Sequence, residues 1–325
     1  MAGGHPRERT SLIVTVLNEA ATIDVLLSSI AAQTQPPDEV IVVDGGSSDG
    51  TWQRLQDWQD RLPLQVIQAP GASIARGRNL AIATATGELV AVTDAGVRLE
   101  RAWLAELSAA LTVETDVVGG FFQPEVTTTF ERAMGATVLP TLQDVRPAAF
   151  LPSSRSLLLR RAAWADVGGY PEWLDYCEDL VFDLALRRAG YRFAFAPAAI
   201  AWFRPRGSVR AFVRQYFLYA RGDGKAGLWL TRHAIRYATY LAATLLVTRR
   251  QPWAWLLLLS GAAAYTRRPY ARLQPHLAGL PAAERASAMA LVPLVRLVGD
   301  VAKMLGYPVG VLWRFRTRWI CRSSS

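Results

Sequence analysis

The chain has 325 residues, of which 51% are hydrophobic and 19% charged, a balance that excludes a disordered protein and allows a sizeable buried core. Its charge is unevenly placed: residues 1–203 carry 16 basic against 24 acidic side chains, a net −8, and residues 204–325 carry 20 against 3, a net +17. This split argues against a uniformly basic nucleic-acid binder, and the apolar runs between the tail's basic residues suit an anionic lipid surface better than a phosphate-tracking arm.

The N-terminal MAGGHPRERT leads into SLIVTVL at 11–17 without an apolar leader, so membrane contact is expected from the C-terminal part. SLIVTVL reads as a strand, and Ile23, Leu26, Leu27 and Ile30 share one helical face after it. The unit repeats as EVIVVD at 39–44, a helix carrying Trp52, Leu55 and Trp58, the strand LQVIQ, a helix over 74–84, and ELVAVTD at 88–94. Strands that are apolar throughout belong to a mostly parallel sheet flanked by helices on both faces, an α/β fold whose ligands sit beyond the carboxyl ends of the strands. Asn18 and Glu19, Asp44 to Asp49, and Asp94 to Gly96 lie at three such ends and are expected to converge on one crevice.

Residues 115–205 read as irregular, apart from an amphipathic helix at about 178–189 that ends at Gly190 and leads into the strand YRFAFAP. Cys177 and Cys321 have neither metal-site nor redox spacing, and with three scattered histidines they form no zinc pattern, which points to a cytosolic setting. Beyond Pro205 lie two apolar segments, 234–247 and 252–265, separated by TRRQ and flanked by Arg, Tyr and Trp. Each is shorter than the roughly 20 residues of a spanning helix. They read either as a transmembrane hairpin with interfacial aromatic residues or as a soluble helical hairpin at a dimer interface. Residues 290–313 mix Arg296, Asp300 and Lys303 into an apolar helical pattern of interfacial type. The expected organisation is an α/β domain at 1–205, an amphipathic interfacial linker helix at 206–233, an apolar helical hairpin at 234–270 and a basic amphipathic segment at 271–325.

Asp44 ends a buried strand and is followed by Gly-Gly-Ser-Ser-Asp, which suits either a loop that grips a polar ligand or a tight turn needing glycine for its own sake. No GxGxxG follows the first strand, which disfavours a dinucleotide-binding domain. Glu178 and Asp179 open a helix, where paired carboxylates serve general-base chemistry or simply complement the helix dipole. Arg155, in SSRS before the strand LLLRR, suits an anionic acceptor group or a structural carboxylate.

The segments SLIVTVLNEAATI, VIVVDGGSSDGT, ARGRNLAIATATGELVAVTDAG and GGYPEWLDYCEDLVFDLALRRAGYRF, taken together and in this order, resemble the family 2 glycosyltransferases over about residues 10–205. The resemblance implies a GT-A, Rossmann-like fold and transfer of a sugar from a nucleotide diphosphate. It implies that Asp44 bonds the nucleobase, usually uracil or guanine, that Thr15 and Glu19 line the base and ribose pocket, and that Arg78 and Asn79 lie near the base and diphosphate. Asp94 is the first acid of an Asp-x-Asp pattern that holds Mg²⁺ or Mn²⁺, with Gly96 in place of the second, and IAWFRPRG lacks the further His ligand. Either the cation is held by Asp94, phosphates and water, or Arg204, Arg206 and Arg221 supply part of its charge. The resemblance makes Asp179, beside Glu178, the base of an inverting displacement. RQYFLYARGDGK at 214–225 corresponds to a helix along the bilayer surface, and the absence of Gln-x-x-Arg-Trp there implies a non-processive enzyme. The aromatic face of Phe212, Tyr216 and Tyr219 reads as helix packing. The function expected is transfer from a UDP- or GDP-linked sugar to a lipid-linked or polyprenyl acceptor at the cytoplasmic face of the inner membrane, with no nucleic acid involved. The alternative is a catalytically weakened scaffold in a membrane complex.

Overall fold

The computed structural model describes residues 8–249 and 251–323, with side chains as far as residue 317, so the N-terminal seven residues and the Cys321 side chain lie outside the described residues. The chain forms two compact units, Met1–Glu125 with Asp144–Arg204, and Val126–Gln143 with Pro205–Ser325.

In the first unit, β1 (Thr10–Val16), α1 (Ile23–Ala31), β2 (Glu39–Asp44), α2 (Thr51–Asp57), β3 (Leu64–Gln68), α3 (Ile74–Thr84) and β4 (Leu89–Asp94) follow the expected alternation. Then come β5 (Val97–Leu99), α4 (Trp103–Ala110), β6 (Val117–Pro124) and, after an excursion through α5 (Thr129–Val138) of the second unit, β7 (Leu157–Arg160), α6 (Arg161–Asp166), α7 (Glu178–Arg188) and β8 (Phe193–Phe203). The eight strands make one sheet in the order β3-β2-β1-β4-β7-β6-β8-β5. The first four are mutually parallel, β7 is antiparallel to both its neighbours, and β6 pairs parallel with β8.

Alternate residues of the strands go to opposite faces, and both faces are covered. Leu12, Val14, Val40 and Val42 pack with Leu26, Ile30, Leu55 and Trp103 on one side. Ile13, Ile41, Val43, Val90 and Val92 pack with Ala81, Ile82, Phe182 and Leu186 on the other. This two-sided burial is the reason the strand sequences are apolar throughout.

The register brings the strand ends together: Val16 lies opposite Asp44 and Thr15 opposite Asp94. α3 sits close against β1 because Gly77 has no side chain; a Cβ there would stand 2.8 Å from Thr15 Cγ2. The stretch expected to be irregular contains β6 and β7. VVGG reads as a breaker by composition, yet the glycines are required by close approach, since a Cβ on Gly120 would stand 2.0 Å from Ser156 Oγ and one on Gly119 2.7 Å from Pro152.

The second unit is helical. α5 carries a capping box in which Thr128 and Glu131 exchange backbone hydrogen bonds. It is joined by α8 (Val209–Ala226), α9 (Leu230–Arg249), α10 (Pro252–Leu273) and the long α11 (Ala282–Ser323). α8 and α11 meet backbone to backbone. A Cβ on Gly306 would lie 2.1 Å from the Phe217 carbonyl oxygen, one on Gly310 2.0 Å from that of Arg221, and one on Gly224 2.3 Å from that of Tyr307. Small residues four apart are what permits such contact. Phe212 is buried and packs on Tyr216 at 4.5 Å between ring centroids, so the aromatic face of α8 is helix packing. Asp300 of α11 accepts from Arg236 Nε at 2.9 Å and Tyr240 at 3.2 Å of α9 and from Tyr265 of α10, tying three helices together.

The transmembrane reading of the hairpin is not supported: among the described residues no helix is both long and apolar enough to cross a membrane. The apolar segments 234–247 and 252–265 carry or continue into charged turns within their helices, Arg232 before the first, Arg236 in its opening turn, and Arg267, Arg268 and Arg272 after the second. The apolar stretch therefore ends short of a bilayer's thickness while the helix runs on.

Candidate active site

The carboxyl edge of the parallel strands is built from two loops held to each other. The Asn18 amide donates to Ser47 Oγ at 2.8 Å, Ser48 N–H donates to Asn18 Oδ1 at 2.9 Å, and Glu19 N–H donates to Thr51 Oγ1 at 2.8 Å. Asn18 adopts φ +56° to make these contacts, a conformation asparagine tolerates better than most residues. Asp49 accepts from the Thr51 hydroxyl and from the Ala20 and Thr51 amides, and these bonds hold its carboxylate below its ordinary range.

Asp44 is fully buried at the end of β2. Its Oδ1 accepts from Gly46 N–H at 3.1 Å, Ser47 N–H at 2.9 Å and Ser47 Oγ at 2.7 Å. Its Oδ2 is buried with no partner. The turn reading and the ligand reading of this loop therefore fall on different atoms: one oxygen organises the turn, and the other is an acceptor short of a donor, a condition worth about 1–3 kcal/mol.

Arg78 of α3 is buried and bridges two elements, donating through Nη2 to Asp94 Oδ1 at 2.6 Å and through Nη1 to Glu178 Oε1 at 2.9 Å. Burial works against its charge, but Asp94 and Glu178 outweigh that cost and hold its proton more firmly than usual. Its guanidinium also lies 5.2 Å from the Tyr170 ring centroid. On the other side of Asp94, Arg155 Nε stands 3.5 Å from Oδ2. Asp94 is thus the carboxylate shared by two arginines, a contact that answers the structural reading of Arg155.

Glu178 and Asp179 begin α7, preceded by Cys177 at φ +67°. The two acids differ in setting. Glu178 is buried, and desolvation, opposed by Arg78, pushes its carboxyl up to about 7. Asp179 is half-buried and accepts the Leu180 amide at 2.8 Å. One turn along, Asp183 is buried with Oδ2 unpartnered, and burial together with the charge of Asp179 raises its carboxyl well above the ordinary range. Periodicity assigns Asp183 no role, because an acid in mid-helix reads as exposed.

Thr15 is partly buried between Val43 and Asp94. Glu19 accepts the Thr22 hydroxyl at 2.5 Å, and its Oε2 lies 3.4 Å from where a Cβ on Gly96 would be. Asn79 has a different environment: Nδ2 donates to the Tyr170 carbonyl at 2.8 Å and Glu172 at 3.0 Å, while Oδ1 accepts from Tyr170 N–H at 2.8 Å and Trp164 Nε1 at 3.0 Å. Its amide is committed to fixing the 164–172 loop. Arg204 closes the first unit, and Arg206 and Arg221 belong to the second.

A divalent cation is poorly matched to these residues. Among the described residues no three His, Cys, Asp or Glu side chains come together as a metal-binding group. Asp94 has both oxygens engaged by guanidinium groups, and Gly96 contributes no ligand.

Residues 11–164 match the protein family described as Glycosyl transferase family 2. The chain is 28% identical over 247 residues to glycosyltransferase AglE of Haloferax volcanii, a match spanning 73% of this chain and 80% of that one. It is 26% identical over 229 residues to the succinoglycan biosynthesis protein ExoA of Rhizobium meliloti, spanning 66% and 68%. Among solved structures, the mannosyltransferase PcManGT of Pyrobaculum calidifontis, in complex with GDP-Man and Mn²⁺, has a TM-score of 0.58 at 22% identity, covering 94% of this chain and 88% of that one. That likeness is one of fold, and it is a GT-A-like α/β fold.

Proposed function

We propose that the chain, a glycosyltransferase by its match to the family 2 model and its relatives, transfers one glycosyl residue, with inversion, from a UDP- or GDP-sugar to a lipid-linked acceptor of polyprenyl type. The transfer takes place at the cytoplasmic face of the cell membrane.

The observation that carries this reading is the pair at the start of α7. Glu178 is neutralised on buried Arg78, which leaves half-buried Asp179 as the adjacent carboxylate able to take a proton from an acceptor hydroxyl. Where the acceptor is a phosphate, already ionised, Asp179 positions it instead. On the donor side, the unpartnered Oδ2 of Asp44 suits a ring N–H, which uracil and guanine both present. The GDP-Man bound by the Pyrobaculum enzyme supports the guanine option, and its Mn²⁺ belongs to that protein's site.

The lipid part of the proposal rests on the second unit. Leu241, Leu245, Trp253, Trp255, Leu256 and Leu259 are exposed on a segment rich in arginine. With no helix both long and apolar enough to span among the described residues, this composition supports an element that lies in the headgroup region.

The test is incubation of the purified chain with UDP-, GDP- and dTDP-sugars and a polyprenyl phosphate in anionic vesicles. A solvent-extractable glycoside of inverted anomeric configuration is the expected product. A product with retained configuration, or transfer to water-soluble acceptors alone, refutes the reading.

A further inference from the structure

The mismatch between Asp94 and a divalent cation raises the question of what balances the donor's charge. Given the nucleotide-sugar donor proposed above, the geometry points to Arg155, beside an Asp94 whose other oxygen is already neutralised by Arg78, as the group that meets the donor diphosphate, so that donor binding does not require a divalent cation.

Asp94 ends β4 at the carboxyl edge of the parallel strands, the edge where Asp44 lies two strands away. A cation seeking Asp94 would have to displace Arg78 from Oδ1 and Arg155 from Oδ2. Arg78 cannot leave cheaply, because it also holds buried Glu178. Arg155 is fixed from another direction: its guanidinium lies 4.9 Å from the Phe203 ring and 5.6 Å from the Phe122 ring, and its side chain keeps a quarter of its surface exposed. A guanidinium on aromatic faces is pre-oriented and weakly hydrated, which suits it to a phosphate oxygen.

The second carboxylate of a metal site is also disfavoured by geometry. Gly96 has φ +73°, and an acid there would bring a second negative charge up to Glu19, whose Oε2 is 3.4 Å from the Cβ position. With Arg78 shared between Asp94 and Glu178, Arg155 is the guanidinium of this cluster that keeps exposed surface. A departing diphosphate therefore meets guanidinium donors, and charge-assisted pairs of this kind are the stronger hydrogen bonds.

The experiment is titration calorimetry of UDP, GDP and dTDP against the full chain, in EDTA and in Mn²⁺. The expected result is that the nucleotide which binds does so in EDTA within about threefold of its affinity in Mn²⁺, a difference of less than 1 kcal/mol. Arg155→Gln, shown to be folded by circular dichroism, should bind the same nucleotide about tenfold more weakly in EDTA, the loss of one ionic hydrogen bond. Arg155→Lys should recover part of that loss. Binding seen only with Mn²⁺, or an unchanged affinity in folded Arg155→Gln, overturns the inference and leaves the donor reading in place. If none of the nucleoside diphosphates binds in either buffer, the donor reading itself fails and takes the inference with it.

Discussion

Arg78 and Glu178, one hundred residues apart, meet at 2.9 Å between Nη1 and Oε1, and the same guanidinium reaches Asp94 at 2.6 Å. This bridge links α3 to α7 beneath the strand ends. Removing its central cation leaves buried Glu178 without that partner and part-exposed Asp94 with Arg155 alone. Arg78→Leu is expected to cost about 3–5 kcal/mol of stability, with Arg78→Lys intermediate, as measured by urea denaturation. A loss below about 1 kcal/mol for Arg78→Leu would mean that the bridge contributes little to the fold.

Asp179 adjoins this bridge without being part of it. Asp179→Asn should leave the denaturation midpoint and nucleoside diphosphate affinity unchanged while lowering transfer by about 10²–10⁴-fold. Unchanged turnover would remove the base assignment.

Asp44 Oδ2 has no partner in the protein, so its carboxylate should matter more to ligand than to turn. Asp44→Asn keeps an oxygen for the Ser47 loop yet loses the charge. We expect a ten- to hundredfold drop in nucleoside diphosphate affinity, about 1–3 kcal/mol, with only a small change in melting temperature. The reverse pattern, lower stability with intact affinity, would make Asp44 a turn residue alone.

The buried acids of α7 set a direction for the pH dependence. Asp183 and Glu178 both have carboxyls raised by burial, Glu178 to about 7, so the folded chain binds these protons more tightly than the unfolded chain does. Their contribution is fully present below the ordinary carboxylate range and is lost as pH rises through the folded values. Melting temperature is expected to fall between about pH 5 and pH 8, and Asp183→Asn, which cannot ionise, should flatten that fall. An equal slope in the variant would exclude Asp183 as a contributor.

Gly306 lies where α11 touches α8. A Cβ there would stand 2.1 Å from the Phe217 carbonyl oxygen, a backbone atom that cannot rotate away. Gly306→Val should therefore separate the helices and cost about 1–3 kcal/mol or more, seen as a lower thermal midpoint. A wild-type midpoint would show that the crossing accommodates a side chain.

Much of the fold was legible because two-sided burial and local signals agree. LQVIQ and EVIVVD match β3 and β2 residue for residue, and α7 starts at its acids and ends at Arg188, two residues before Gly190. Hydropathy misjudged two regions for physical reasons. The glycines of β6 answer neighbours that are distant in sequence, and the apolar windows of α9 and α10 sit in helices whose charged turns a window leaves out. Among the site residues, Asn79 illustrates the same limit. Its place beside Arg78 is local, but the loop it holds is more than eighty residues away.

The sequence by itself determined the alternation of strand and helix and, with it, the gathering of Glu19, Asp44 and Asp94 at one edge, because parallel strands all end on the same side. Tertiary structure alone decided who partners whom. β7 enters the sheet next to β4, with Arg155 just before it, and α7 packs on the face that holds α3. That strand order puts two guanidiniums on Asp94 and one on Glu178. No local periodicity encodes such pairings, since they depend on the order of strands in space and not along the chain.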